Sequence, residues 1–294
     1  MSTAGTIERS AAPARPRRRP RLARAALLLP AGVLLGVFFA YPLISMVVTS
    51  FMGDGGGLTL DKYREVLEVP TYLTVFRITF EIAALVTVAT ALVAYPLTYV
   101  IVTGPKLLGS ILRGLVIIPF FVSLLVRTYA WLVVLSPDGI VNQTLHALGA
   151  GPVQLLYNRT GVIIGMTYAL LPYMVFALYG NMRSVDTRLL QAAQNLGAGP
   201  WRAFRTVFLP LTFPGIAAGS ILVFILACGF FITPKLMGGP GDVMIGSLIT
   251  TLVSERGQVD DVAAIGTVLL AITVVGFLAA SRFVGLRALL ESRE

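Results

Sequence analysis

The sequence predicts an all-α, polytopic membrane protein with six transmembrane helices. Of 294 residues 56% are hydrophobic and 13% charged, about half the charged fraction usual in a soluble domain, and the mean hydropathy is +0.84. The charges are also gathered between uncharged runs of roughly the ~20 residues that a helix needs to cross a hydrocarbon core of ~30 Å. Cys228 is the single cysteine and His146 the single histidine, so the chain offers no internal disulfide and no clustered cysteine or histidine metal site.

Residues 1–24 hold seven arginines among prolines and alanines, a composition that cannot bury a core and reads as a disordered basic tail. With no fold behind it, the tail suits anionic headgroups and not nucleic acid. The uncharged run 25–53 is longer than the 7–15-residue core of a signal peptide and lacks a clear small-residue cleavage site, so it is expected to stay as the first span, bent at Pro30 or Pro42. After a glycine-rich turn, residues 60–68 carry apolar positions at helical spacing and predict a short surface helix. The second span is expected over 79–102 and the third over 113–135, with Arg127 inside it. Pro137, Asp138, Gly139 and the run 149–152 mark 136–159 as a loop. The fourth, fifth and sixth spans are expected at 160–182, 214–234 and 262–282, within one membrane domain of residues 25–285 that leaves 286–294 as a tail.

With the N-terminus inside, 16 Lys and Arg fall on that side of these spans and seven on the other, which also takes ten of the fourteen acids. Positive charge gathers on the cytoplasmic side, so both termini and the polar stretch 187–210 are expected there. Within that stretch Asp186 or Thr187 can cap a helix through Leu196, Gly197 stands where a left-handed residue is needed, and Gly199-Pro200 can open a second helix that stops towards Pro210. The expected shape is two short helices meeting at a glycine elbow. Ala192 and Ala193 keep one face small for a close partner, while Arg202 and Arg205 leave charges for a partner or for lipid.

The run Gln191-Ala192-Ala193, then Gly197, then Val207-Phe208-Leu209-Pro210 resembles the Glu-Ala-Ala loop of permease subunits of bacterial ABC importers. Gln191 stands where that family has Glu, and Val207 where it has Ile. The resemblance implies a type I permease fold in the cytoplasmic (inner) membrane and a coupling role for Gln191, Ala192, Ala193, Gly197, Pro200, Arg202, Arg205, Leu209 and Pro210, docked on an ATPase subunit. Residues 127–131, 139–142, 155–158, 171–174 and 231–239 resemble the spermidine/putrescine branch, which implies polyamines as the solute, with amino-acid derivatives, opines or phosphonates as alternatives. It also implies a second permease, paired ATPases and an extracytoplasmic solute-binding protein as partners.

No Gly-x-x-x-x-Gly-Lys-Ser/Thr loop and no Gly-x-Ser-x-Gly element occurs. The chain is therefore expected to be no enzyme and to bind no cofactor, with ATP and Mg used by the partner. An ATP-independent secondary transporter is the rival reading, against which stands the small number of intramembrane ionisable residues. Those are Glu81 and Arg127. Arg127 lies 14 residues past Arg113, which on a continuous helix places it ~21 Å across. Charges at membrane depth are functional suspects, and a flexible polycation favours carboxylates and aromatic faces. Glu81, Arg127, Tyr129, Trp131, Tyr173 and Phe231 are therefore the candidate pathway residues, with Arg127 alternatively snorkelling outward or meeting a carboxylate. For Glu81 the plainer alternative is a helical ion pair with Arg77, and for the rings interfacial anchoring.

Overall fold

Glycines recur at four-residue spacing in the apolar spans, at Gly161 and Gly165 and again at Gly215 and Gly219. That spacing puts each pair on one helix face, where another backbone can approach closely. The computed structural model describes residues 30–53, 57–256 and 259–291. In it a Cβ at Gly219 would lie 2.5 Å from Met174 Sδ, one at Gly215 2.7 Å from Asn181 Cβ, and one at Gly165 2.7 Å from Thr233 Cγ2. Both faces are therefore in use. We expect Gly219→Val to destabilise the protein by about 1–3 kcal/mol, the range for overpacking a filled interior. A thermal unfolding midpoint in detergent equal to that of the unaltered chain would contradict this packing.

The chain divides into two units, residues 1–48 and 49–294. Among the described residues the first unit is most of helix α1 (Pro30–Ser50). Its ladder widens to a π turn at Gly36–Ala40, two residues before Pro42. Proline lacks the N–H that would reach four residues back, and its ring collides with that carbonyl, so a widened turn there relieves both problems.

The second unit contains α2 (Asp61–Glu68), α3 (Pro70–Thr103), α4 (Lys106–Ile117, continued by a 3-10 turn at Ile118–Phe121) and α5 (Leu124–Val134). Then come α6 (Ile140–Ala147), α7 (Arg159–Ser184), α8 (Thr187–Asn195) and α9 (Pro200–Cys228). Helices α10 (Ile232–Met237), α11 (Ile245–Arg256) and α12 (Val259–Glu291) complete it, and no β-strand occurs among the described residues.

Helices α3, α7 and α9 pack pairwise around a core that includes Ile82, Val86, Met166, Met174, Leu178 and Val223. Four threonines of α3, Thr79, Thr87, Thr90 and Thr98, are buried there, and each donates its hydroxyl to the carbonyl four residues back at 2.6–2.7 Å. The polar groups are thus satisfied within their own helix. Thr79 also accepts from the Ile245 N–H at 2.9 Å, which pins the start of α11 to α3.

Five helices are long and apolar enough to cross a membrane, and the bent pair 106–121 and 124–134 makes a sixth when it is counted as one span. That pair differs from the expected third span, because its two parts meet at a bend of 109°. Pro119 ends the ladder, and Val122 and Ser123 are extended. Arg113 and Arg127 are therefore not on one straight helix, and the ~21 Å depth expected for Arg127 does not hold.

The expected loop 136–159 contains α6, closed by Gly149 at φ +79° and by Asn142, whose side chain donates to Ser136 O at 3.0 Å and accepts from Val153 N at 2.9 Å. The fifth span ends at Cys228 and not near 234, and the segment after it folds into α10 and α11, which the sequence reading did not anticipate. The expected surface helix at 60–68 is α2. Helix α12 runs to Glu291, into the stretch 286–294 expected to be a tail. The basic tail 1–24 and the first residues of span one lie outside the described residues.

Candidate functional site

The 187–210 stretch folds as a helix, an elbow and a second helix. Asp186 caps α8 by accepting from Arg188 N at 2.9 Å. At the other end Gly197 N donates to Gln194 O at 2.9 Å and Ala198 N to Ala193 O at 3.0 Å, the paired bonds of a Schellman closure. This closure needs a left-handed residue, and Gly197 has φ +88°. Nothing lies within 4 Å of a Cβ placed there, so glycine is required by backbone conformation and not by space. Gly199 then precedes Pro200 at the first position of α9.

The second limb does not stop at Pro210, as the sequence had suggested. It passes through a π turn at Phe204–Phe208, two residues before Pro210, and continues as the membrane helix to Cys228. The same device precedes Pro42 in α1. The elbow is thus the head of a transmembrane helix and not a separate loop.

Aromatic rings hold that head against the end of α3. Tyr99 meets Phe208 edge-on at 5.2 Å and Phe204 at 5.5 Å, and Tyr95 meets Phe204 at 6.0 Å. Tyr95 Oη and Thr212 Oγ1 are 2.9 Å apart, and Trp201 stacks on Phe204 at 5.6 Å. Beside these rings is an open slot of about 350 Å³ lined by Tyr95, Pro96, Tyr99, Pro200, Trp201 and Phe204. Each edge-to-face contact adds ~0.5–1.5 kcal/mol beyond area burial, so movement of the elbow is resisted unless α3 moves with it.

Gln191, Ala192, Pro200, Arg202, Arg205 and Pro210 are exposed, and Ala193 and Leu209 partly so. Two residues that the sequence reading passed over stand out beside them. Leu196 is 89% exposed and Trp201 72% exposed, at either side of the elbow. Large apolar side chains on an exposed turn are of the kind that a partner surface covers. The signal was available, since Leu196 is a large apolar residue directly before the helix-ending glycine.

At the opposite ends of α3 and α7, Glu81 lies in a chain of ion pairs. Arg77 Nε is 2.7 Å from Glu81 Oε1, Arg159 Nη1 is 3.1 Å from Glu81 Oε2, and Arg159 Nε is 3.3 Å from Asp242 Oδ1. The Arg77 pairing is the plainer alternative stated for Glu81, while Arg159 and Asp242, 83 residues apart, were not foreseen. Tyr157, at φ +55°, carries its carbonyl into the space where a Cβ at Gly239 would lie 2.5 Å from it. The segments 155–159 and 238–242 therefore interlock there.

We expect Arg159→Met to lower stability by about 1–2 kcal/mol, because it leaves Asp242, which is 11% exposed, without its cation and Glu81 with Arg77 alone. The shift should shrink in Asp242→Asn/Arg159→Met, and equal midpoints for wild type and Arg159→Met would refute it.

The other pathway candidates are dispersed. Trp131 packs edge-on to Tyr168 at 5.4 Å, and Tyr173 to Phe120 at 5.4 Å. Tyr129 and Phe231 are exposed, and α5 and α10 meet at the Thr128 and Thr233 hydroxyls, 3.4 Å apart. No ring contact or ion pair joins Glu81 to these aromatics among the described residues. Arg127 is half-buried, with its Nε buried and without a hydrogen-bond partner. No group of three or more His, Cys, Asp or Glu able to hold a metal occurs among the described residues.

Comparison with known proteins places the chain. Residues 93–293 match the family described as binding-protein-dependent transport system inner membrane component. The spermidine/putrescine transport system permease protein PotB of Salmonella typhimurium (strain SL1344) is 34% identical over 223 residues, 73% of this chain and 77% of that protein. PotB of Haemophilus influenzae is 31% identical over 265 residues, 86% of this chain and 92% of that protein. In fold, the chain is similar to a chain in the crystal structure of a bacterial alginate ABC transporter in complex with an alginate pentasaccharide-bound periplasmic protein, with TM-score 0.69, 20% identity, and coverage of 88% of this chain and 92% of that one.

Proposed function

We infer the function from one premise: the chain belongs to the family of binding-protein-dependent transport system inner membrane components. It is a transmembrane permease of an ABC importer, a transporter of the inner membrane and not an enzyme. The solute we propose is a polyamine, spermidine or putrescine, as in the PotB relatives. The partners we propose are paired cytoplasmic ATPases that use ATP and Mg, a second permease, and an extracytoplasmic solute-binding protein of the kind seen with the alginate transporter. Both termini and the elbow face the cytoplasm in this reading, as the 16 to seven division of Lys and Arg suggests.

The observation that carries the mechanism is the ring-held elbow. When the ATPases close on ATP, the surface formed by Gln191, Ala192, Ala193, Leu196 and Trp201 travels with them. The Schellman closure at Gly197 keeps the two limbs at a fixed angle, and the Tyr99, Phe204 and Phe208 rings carry the displacement into α3 and α9. The helices then alternate between outward and inward access. Arg202, Arg205, Pro200, Leu209 and Pro210 frame this lever.

Glu81 is already neutralised by two arginines, which leaves the faces of Tyr129, Trp131, Tyr173 and Phe231 as the attraction for a polycation, with Arg127 repelling it. Weak attraction permits release, and selectivity then lies in the binding protein. The test is uptake of labelled spermidine by proteoliposomes containing the complete complex. ATP-dependent uptake that requires the binding protein is expected. Uptake of an amino-acid derivative, opine or phosphonate instead would replace the solute, and uptake without ATP would replace the mechanism with secondary transport.

A further inference from the structure

Three cations from two helices converge where α3 ends, α4 begins and α7 ends. Lys106 opens α4, Arg113 lies two turns further on, and Arg183 closes α7. They surround a hollow of about 310 Å³ whose other walls are Ile101, Val102, Gly104, Gly109 and Tyr179. No carboxylate lines it, and none of the three cations takes part in an ion pair among the described residues.

Arg113 is not a free surface charge. Its Nε donates to Gly109 O at 3.1 Å and its Nη1 to Tyr179 Oη at 3.2 Å, which ties the guanidinium across the gap between α4 and α7. Tyr179 accepts from Arg113, so its own O–H remains available as a donor. Like charges held this close repel, and an anion in the hollow turns that repulsion into attraction. Half of the lining is apolar, as suits a group at the boundary between headgroups and hydrocarbon, where basic pockets between spanning helices take lipid phosphates.

We propose that this hollow is a binding site for a phosphate-bearing anion, supplied by the headgroup of an anionic phospholipid such as phosphatidylglycerol. The guanidinium of Arg113 offers paired N–H donors to the phosphate oxygens, and Lys106 and Arg183 add point charges at its rim. Bound there, the headgroup bridges the start of α4 to the end of α7, three residues before the Asp186 cap of α8. Placing the site in the inner leaflet rests on the orientation proposed above. Headgroup binding itself does not depend on which leaflet that is.

The test is titration of a fluorescent phosphatidylglycerol into the purified full-length chain in neutral detergent, followed by anisotropy. Unlabelled phosphatidylglycerol, phosphatidylcholine and inorganic phosphate serve as competitors. Phosphatidylglycerol should displace the probe and phosphatidylcholine should not. Neutralising each cation singly, in Lys106→Gln, Arg113→Gln and Arg183→Gln, should weaken binding about fivefold, and the triple variant roughly a hundredfold. Lys106 is exposed, so Lys106→Gln remains informative if the triple variant does not fold. Arg188→Gln, a cation of α8 outside the hollow, should bind the probe as wild type does.

Displacement by millimolar inorganic phosphate, where phosphatidylcholine fails, supports the phosphate chemistry and moves its source to solution. Wild-type affinity in Lys106→Gln and in the triple variant, or equal displacement by phosphatidylcholine, overturns the proposal.

Discussion

Gly197→Asp should reduce ATP-driven uptake by roughly tenfold or more while leaving the chain inserted and its unfolding midpoint close to wild type. The reasoning is local. Gly197 has φ +88°, and a side chain there has open space but a strained backbone that costs ~1–2 kcal/mol. A carboxylate just past the C-terminal end of α8 adds an unfavourable ~0.3–1 kcal/mol with the helix dipole. The elbow then leaves its docking conformation for most of the time, and apparent affinity for the ATPase falls by the fraction lost. Two further substitutions isolate the cause. Gly199 has ordinary backbone angles and nothing within 4 Å of a Cβ, so Gly199→Ala should transport normally. Gly197→Asn, which tolerates the left-handed region without the charge, should recover part of the uptake. Wild-type co-purification of the ATPase with Gly197→Asp would overturn the elbow as the docking element.

Phe208→Ala should be the most damaging single change to stability, about 3–5 kcal/mol. Phe208 is 2% exposed, stacks with Phe204 at 6.0 Å and meets Tyr99 edge-on at 5.2 Å. It also lies in the π turn, so the cavity would open where the lever joins the membrane helix. Phe208→Leu separates folding from coupling. It keeps most of the buried volume, so the midpoint should fall only slightly, yet it removes the Tyr99–Phe208 contact, one of the three edge-on contacts that join α3 to the elbow. Uptake should therefore drop more than stability does. Unfolding midpoints and initial uptake rates measured on the same preparations decide it. A Phe208→Leu variant that transports at the wild-type rate would remove the Tyr99–Phe208 contact from the mechanism.

The elbow was legible in the sequence because its determinants are local. A capping aspartate, a left-handed glycine and a glycine-proline helix start each act between residues no more than five apart in sequence. Where the reading failed, the determinant was either a competing local signal or a distant one. Pro210 was read as a stop, but a π turn two residues earlier lets the ladder pass it, and nothing in composition distinguishes the two outcomes. In the third span Pro119 and Ser123 did signal the break, a proline followed by an extended residue before a new helix, and hydropathy alone concealed it.

The pairing of Arg159 with Asp242 could not be found from spacing, because it depends on how α7 meets the turn after α10. Likewise the motif residues Gly139, Asn142, Tyr157 and Gly239 read as family marks. Their structural work is to close loops: Asn142 bonds Ser136 and Val153, and Gly239 admits the Tyr157 carbonyl.

The 109° bend between α4 and α5 also dictates where water can stand. Val122 and Ser123 have ψ 131° and 139°, so the ladder is interrupted between them, although Val122 N donates to Pro119 O at 3.3 Å and Ser123 O accepts from Arg127 N at 3.0 Å. They lie about 24 Å along from Lys106, within the length of a membrane crossing. In hydrocarbon each unsatisfied peptide group costs several kcal/mol, and such a break is stable only against protein or beside an aqueous cavity. Any peptide group at this corner that lacks a helical partner therefore calls for water or a neighbouring subunit beside it, and lipid tails are disfavoured there.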